Sequence, residues 1–320
     1  MTVTRVKELS DRLLNETEKI IVGKTDKIRL IIMSVFAGGH VLLEDLPGVG
    51  KTTLIKALST ALGCDFRRIQ FVPDLMPSDI SGMRIFNQKS GEFELVNGPV
   101  MTNILLADEI NRAIPRTQSA LLEAMEERQV TIDGESIKLP EPFLVLATQN
   151  PVESESTFPL PAAQMDRFLI KLSLGYPSQD EELRMLGVLG DRIPFENVNV
   201  ATNADELTTL IKEISKVRVS EAVAGYIVRI VDATRNNKEL RMGASPRGSR
   251  ALYKAVKVWA AMNGRDYAIP DDVLELAHPV LEHRLVLSSE AGFAGHTVED
   301  VLDTVIAGVT PPPTEAELLS

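Results

Sequence analysis

The sequence predicts an α/β fold: a core built on a mainly parallel, five-stranded sheet, followed by a smaller all-helical domain. Three observations carry that expectation. Five short strand-like runs, "HVLLE", "FRRIQF", "NILLADE", "FLVLATQN" and "RFLIKLSL", are interleaved with stretches of helical periodicity, the alternation that crossover helices on a parallel sheet produce. "NILLADE" and "FLVLATQN" are apolar throughout their middles and end on polar groups, as strands covered on both faces do. Past "YPSQDEEL" the strand signals fade, and helical patterning runs to about residue 290.

The elements follow in order. Val6, Leu9, Leu13, Leu14, Ile20 and Ile21 recur at helical spacing, which reads as an amphipathic helix over residues 5–21. "KIRLIIMSVFAGGH" reads as a second helix stopped by Gly38 and Gly39. "HVLLE" is then a short buried strand, and residues 51–62 form the helix after the loop that follows it. "FRRIQF" is the next strand. "MRIFNQKSGEFELVNGPV" alternates around Lys89-Ser90-Gly91 and reads as a hairpin. "NILLADE" follows, then the helix "PRTQSALLEAMEERQ". "RQVTIDGESIKLP" is a second hairpin, turning at Asp133-Gly134. "FLVLATQN" and "RFLIKLSL" complete the sheet, and "TPPPTEAELLS" reads as an extended, polar, Pro-rich end.

Composition narrows the function. At 320 residues the chain has length for about two domains. A hydrophobic share of 44% excludes disordered and collagen-like classes. The net charge of −11 argues against non-specific binding to nucleic acid or anionic membrane. The single cysteine, Cys64, excludes an internal disulfide and fits a reducing compartment; its place just past a helical run reads as packing. With no signal-peptide pattern and no apolar run near the roughly 20 residues that cross a bilayer, a soluble, cytoplasmic protein is expected.

Three stretches carry the chemistry. In "LLEDLPGVGKTTL", Gly48 and Gly50 let the backbone approach an anion, and the helix starting near Lys51 aims its positive end at the same place. Lys51 supplies a point charge for the β and γ phosphates of ATP, and Thr52 a hydroxyl for Mg²⁺. The pattern G-x-x-x-x-G-K-[ST] has glycine where Asp45 stands. Aspartate suits tight turns, so Asp45 is expected to face away from the phosphates and bond local backbone. Taken alone, G-V-G-K-T is also compatible with a ligand-free glycine turn. "NILLADE" places Asp108 and Glu109 at a strand end, Asp108 to hold the Mg²⁺ hydration shell and Glu109 to orient and deprotonate the attacking water. A solvated acidic turn fits less well, because four apolar residues lead into the pair. Asn150, ending "LVLATQN", can hydrogen-bond the water and a γ-phosphate oxygen, although Asn before Pro is also a common turn.

These stretches together look like an AAA+ ATPase. "GHVLLEDLPGVGKT", "LLADEINRA", "QSALLEAMEERQVTIDGE", "LATQNP" and "LPAAQMDRFLI" resemble the MoxR family in particular, over about residues 6–290. The family typically has glycine at position 45. The resemblance implies an AAA+ P-loop core over 1–176 with two β-hairpin inserts (the helix-2 and pre-sensor-1 inserts), a helical lid over 177–310, and a Pro-rich tail over 311–320. It implies nucleotide contacts from Val22, Gly23, Pro47, Gly48, Val49, Gly50, Lys51, Thr52 and Thr53. Lys24 stands where the family usually has Gln, which leaves base contacts there open. Arg167 in "QMDRF" matches the arginine finger that reaches a neighbouring subunit's γ-phosphate; Arg247 in "GASPRGSR" matches sensor 2. Planar guanidinium groups suit phosphate and stabilise charge developing in transfer. As plain residues, Arg167 could be a helix-end ion-pair partner and Arg247 a surface charge.

The implied activity is Mg²⁺-dependent ATP hydrolysis by a homo-oligomeric ring, expected as a hexamer. It would remodel or activate protein clients, often von Willebrand factor A domain proteins or metal-cofactor enzymes. A nucleic-acid motor is the first alternative, disfavoured by the −11 charge. A nucleotide-gated scaffold with little turnover is the second, disfavoured by the presence of Glu109, Asn150 and Arg167. His40, His278, His283 and His296 are scattered without metal-site spacing, and His278 and His283 read as surface or satisfied core residues. Ser245 and Ser249 have no evident catalytic partner. Arg112 and Arg116 suit either a subunit interface or a solvated helix start.

Overall fold

In the computed structural model, residues 2–151, 157–189 and 193–313 are described. Residues 314–320, most of the expected tail, lie outside them. The elements run α1 (Thr2–Glu18), α2 (Thr25–Phe36), β1 (Val41–Glu44), α3 (Lys51–Leu62), β2 (Phe66–Gln70), α4 (Pro77–Ser81), β3 (Gly82–Asn87) and β4 (Glu92–Asn97). Then come β5 (Ile104–Asp108), α5 (Pro115–Glu127), β6 (Gln129–Ile132), β7 (Glu135–Lys138), β8 (Leu144–Gln149), α6 (Ala162–Met165) and β9 (Ile170–Leu172). The remainder is α7 (Gln179–Leu189), α8 (Ala204–Ile214), α9 (Glu221–Asn236), β10 (Leu240–Met242), α10 (Pro246–Met262), α11 (Pro270–Leu281), β11 (Val286–Leu287), α12 (Ser289–Phe293) and α13 (Val298–Ala307).

The five expected strands form one sheet in the order β2-β5-β8-β1-β9, and the pairings β2–β5, β5–β8 and β8–β1 are parallel. Burial follows position. All five residues of β5 and the first five of β8 are buried, whereas edge strand β2 exposes Arg67 and Arg68. Charge on an edge strand keeps its unpaired backbone from recruiting another strand. Register aligns the strand ends: Gln70 lies opposite Asp108, and Glu44 opposite Gln149. The polar residues that terminate β5, β8 and β1 therefore emerge on one edge, the usual ligand side of a parallel sheet.

His40 is a satisfied core residue. Its Nδ1 accepts from the Val145 N–H at 3.0 Å, and Nε2 lies 3.2 Å from the Met125 carbonyl. Both hairpins form. Phe86 and Phe93 face each other across β3–β4 at 5.4 Å between ring centroids, and both are more than half exposed. The second hairpin turns at Asp133 (φ 50°) and Gly134 (φ 84°), the backbone that an Asp-Gly turn favours. Arg84 of the first hairpin reaches Glu135 of the second at 2.5 Å.

Among the described residues, the chain separates into two units, one of residues 11–161 and 172–208, the other of 1–10, 162–171 and 209–320. Among its described residues the second contains, besides helices and the start of β9, the antiparallel pair β10–β11, a departure from the all-helical expectation. Two- and three-residue strands are too short for a period-two pattern to register. For the same reason "RFLIKLSL" is strand only over β9; Arg167 and Phe168 lie in the turn before it.

Candidate functional site

β1 delivers the chain into the glycine loop, and α3 starts at Lys51. Gly48 (φ 85°) and Gly50 (φ 89°) adopt left-handed backbone that side chains resist, so these two positions require glycine. Gly50 caps α3 without any side-chain hydrogen bond, which leaves the helix's first N–H groups facing the loop. Lys51 Nζ donates to the carbonyls of Asp45 (2.8 Å) and Leu46 (3.1 Å) and so folds back across the loop. Burial lowers its pKa below the ordinary lysine value, and the carboxylates of Asp45, Asp108 and Glu109 pull it back up. An ammonium beside an uncapped helix start suits a polyphosphate. Pro47 and Gly48 are exposed, and Val49, Thr52 and Thr53 half-buried, around the same turn.

Asp45 is almost fully buried, at 4% exposure. Its carboxylate accepts from Ser173 Oγ (2.7 Å) and from the backbone N–H groups of Leu174 (2.8 Å) and Gly175 (2.9 Å). The expectation of local bonding is corrected here. Two of the three partners are backbone N–H groups and the third is the Ser173 hydroxyl, and all belong to the segment following β9. A side chain at this turn points towards that segment, where two N–H groups await an acceptor.

One hydroxyl arranges the acid pair. Thr148 Oγ1, near the end of β8, donates to Asp108 Oδ1 (2.6 Å) and accepts from the Glu109 N–H (2.8 Å). Glu109 sits in left-handed backbone (φ 55°, ψ 50°), a conformation costing a non-glycine residue about 1 kcal/mol or more. The Thr148 bond and the following helical turn, Ile110–Arg112, hold it there. Glu109 Oε2 accepts from Gln70 Nε2 (2.6 Å) and Arg112 (3.0 Å). Asp108 Oδ2 accepts from Arg68 Nε (3.1 Å) and Nη2 (2.5 Å). Asn150 is buried, and its carbonyl accepts from Asn111 Nδ2 at 3.1 Å. Val22 and Gly23 are half-buried; Gly23 (φ 69°) lies under Glu181, whose carboxylate fills the space a Cβ would take. Lys24 Nζ donates to the Tyr176 carbonyl at 3.0 Å.

The other unit carries Arg167, half-buried, and Arg247, exposed in the first turn of α10. Ser245 caps that helix by accepting from the Arg247 N–H (3.1 Å), and its hydroxyl donates to Asp166 Oδ2 (2.7 Å). Arg284, 4% exposed, donates to Asp166 Oδ1 (2.7 Å) and to the Phe168 carbonyl (2.5 Å). Ser245, Asp166 and Arg284 thus position both arginine-bearing turns. Sequence reasoning weighed Ser245 only as a catalytic residue and passed over Asp166 and Arg284, as it did Arg68, Gln70 and Thr148. Thr148 had a signal, a hydroxyl in an otherwise apolar strand; Arg68 had one in the basic pair on a short strand.

The first unit therefore assembles Val22, Gly23, Pro47–Thr53, Asp108, Glu109 and Asn150, and the second holds Arg167 and Arg247. A phosphate-cradling loop beside a strand-end acid pair defines a P-loop nucleotide-binding protein. Residues 40–170 match the ATPase family associated with various cellular activities (AAA), and residues 232–305 match the AAA lid domain. Chaperone MoxR1 of Mycobacterium tuberculosis is 43% identical, over 96% of this chain and 83% of that protein. Protein MoxR of Methylorubrum extorquens is 31% identical, over 89% of this chain and 90% of that one. A crystal structure of a candidate ATPase from Cytophaga hutchinsonii superposes with a TM-score of 0.91 at 38% identity, covering 98% and 97% of the two chains. The chain belongs to the MoxR family of AAA+ ATPases. Among the described residues, no helix is long and apolar enough to cross a membrane.

Proposed function

We propose that this chain hydrolyses ATP in a Mg²⁺-dependent reaction, as a ring in which each subunit completes its neighbour's site, and uses the turnover to remodel or activate partner proteins. The observation that carries this reading is the strand register: β1 and β5 both pair in parallel with β8, so the loop after β1 and the acid pair after β5 leave the sheet at one edge. Loop and acid pair would share one site. Glu109, held by Thr148 and its left-handed backbone, would orient a water and take its proton. Asn150 would bond that water and a γ-phosphate oxygen. Lys51 would leave its two loop carbonyls for the phosphates. Val22 and Gly23 would flank the base.

An acceptor-only carboxylate at Asp108 and the Thr52 hydroxyl make a donor set that fits a hard cation. When bound there, Mg²⁺ supplies neutralisation of phosphate charge. Arg247 would reach the phosphates from its own lid. Arg167 would reach those of the next subunit, a trans contribution worth about 10³–10⁵ in rate in related NTPases. A site completed in trans calls for a heterologous, closed interface, and six subunits is the expected number. The name of the M. tuberculosis relative supports chaperone-like work; clients with von Willebrand factor A domains or metal cofactors suit it, in the cytoplasm.

The test pairs steady-state ATPase activity with fluorescent-nucleotide binding. Glu109→Gln is expected to lower turnover about 10²-fold or more while nucleotide still binds, the scale of losing a general base. Turnover within twofold of wild type would remove Glu109 from the reaction. Mixing wild type with Arg167→Ala subunits, once subunit exchange is demonstrated, should give activity that curves away from simple dilution; a straight line means self-contained sites.

A further inference from the structure

We propose that Arg68 is the resident counter-ion of Asp108, a competitor that sets the concentration at which Mg²⁺ takes its place. The proposal rests on the reading of Asp108 as a metal-holding residue and adds a determinant that reading lacks. Asp108 is 8% exposed, and a buried carboxylate is costly unless compensated. Thr148 occupies one oxygen with a neutral hydroxyl, which a nearby cation tolerates. Arg68 occupies the other, through Nε and Nη2 together. Two N–H groups on this oxygen occupy the place where a water of the Mg²⁺ hydration shell would donate, and the two cations repel, so each state disfavours the other.

The surroundings allow the exchange. Arg68 stands on the sheet's edge strand, and its side chain is 48% exposed against 11% for Asp108. Its head can therefore swing into water without opening the core. Nη2 also donates to Gln70 Oε1 at 3.0 Å, a partner available after Asp108 is released. Arg68 and Gln70 are two apart on one strand and point the same way, so this second bond needs little movement. Exposure also keeps the competitor weak: a half-solvated ion pair contributes modestly and yields to a divalent cation.

The experiment titrates Mg²⁺ into full-length protein with mant-ATP, reading fluorescence, for wild type, Arg68→Gln and Arg68→Lys. Arg68→Gln is expected to lower the half-saturating Mg²⁺ concentration about threefold to tenfold, the factor a partly exposed charge pair can withhold. Mant-ATP affinity in EDTA should change less, by about twofold at most. Arg68→Lys keeps the charge but cannot grip one oxygen through two N–H groups, so its half-point should fall between the other two. It carries the test if the Gln variant folds poorly. A half-point that is unchanged or raised in both variants overturns the proposal and leaves the nucleotide site standing. Absence of mant-ATP binding by wild type overturns the reading of the site and the proposal together.

Discussion

Removing the Asp45 carboxylate should loosen the loop's attachment to the segment after β9. The side chain is 4% exposed and receives three hydrogen bonds of 2.7–2.9 Å. Their loss is unequal. Ser173 is exposed, so its hydroxyl rehydrates at little cost. Leu174 is buried, and its orphaned N–H carries the full penalty of about 1–3 kcal/mol; Gly175, half-buried, carries part of the same. The total for Asp45→Ala is about 2–4 kcal/mol, corresponding to a fall of about 5–15 °C in the melting of a unit of this size. Asp45→Asn keeps the shape but turns one acceptor into a donor facing a donor, and should lose about half as much. Calorimetry or far-ultraviolet circular dichroism reads the shift. Asp45→Ala melting within 1 °C of wild type would refute the anchoring role. Because the carboxylate points away from the loop's N–H groups, Asp45→Gly should change nucleotide affinity by less than about tenfold even as it destabilises. Tighter binding by orders of magnitude would mean that Asp45 repels phosphate.

Two further outcomes concern titrating groups. Burial, with Asp65 adding to it, pushes the Cys64 thiol up to about 11. At pH 8 its thiolate fraction is then about 10⁻³, so iodoacetamide should label it about 10²-fold more slowly than free cysteine; equal rates would place Cys64 in a different environment. Burial and the adjacent Arg284 guanidinium hold the His283 pKa well below its ordinary 6.5. The unfolded chain then takes up a proton that the folded chain does not, so this contribution to stability is intact above about pH 6.5 and is lost as pH falls below it, by at most about 1.4 kcal/mol per pH unit. Trp259, the single tryptophan, lies in α10 of the same unit and reports its unfolding by fluorescence. His283→Gln should flatten the fall in Tm between pH 7 and pH 5, and parallel slopes for both proteins would exclude His283 as the cause.

The sheet was legible because burial left a mark in residue choice. β5 and β8 are covered on both faces, and their apolar runs stop where the chain reaches the site edge, at Asp108 and Thr148. The turn at Asp133-Gly134 was legible because its backbone excludes most other residues. The pair β10–β11 was not, since two or three residues cannot display a period. The placement of Ala162–Lys171 with the helical unit was equally hidden: Arg284 and Ser245 tie Asp166 there, and nothing local to "QMDRF" announces it.

What sequence reasoning missed has one physical origin. A residue's chemistry is local, but its partner is chosen by register and packing. Asp108 is recognisable as the polar end of a buried strand; that Arg68 and Thr148 hold its two oxygens depends on β2, β5 and β8 lying side by side, with partners 40 residues away on either side. Asp45 shows the same from the opposite direction. It looks like a defect in the loop only while its partners, 128 to 130 residues away, are unseen. Glycine at this turn would leave the Leu174 and Gly175 N–H groups to other acceptors. Aspartate satisfies them and adds a negative charge that favours the Lys51 ammonium. The aspartate therefore acts as an anchor between the loop and the segment after β9, while the Lys51 ammonium is held by backbone carbonyls that glycine would equally supply.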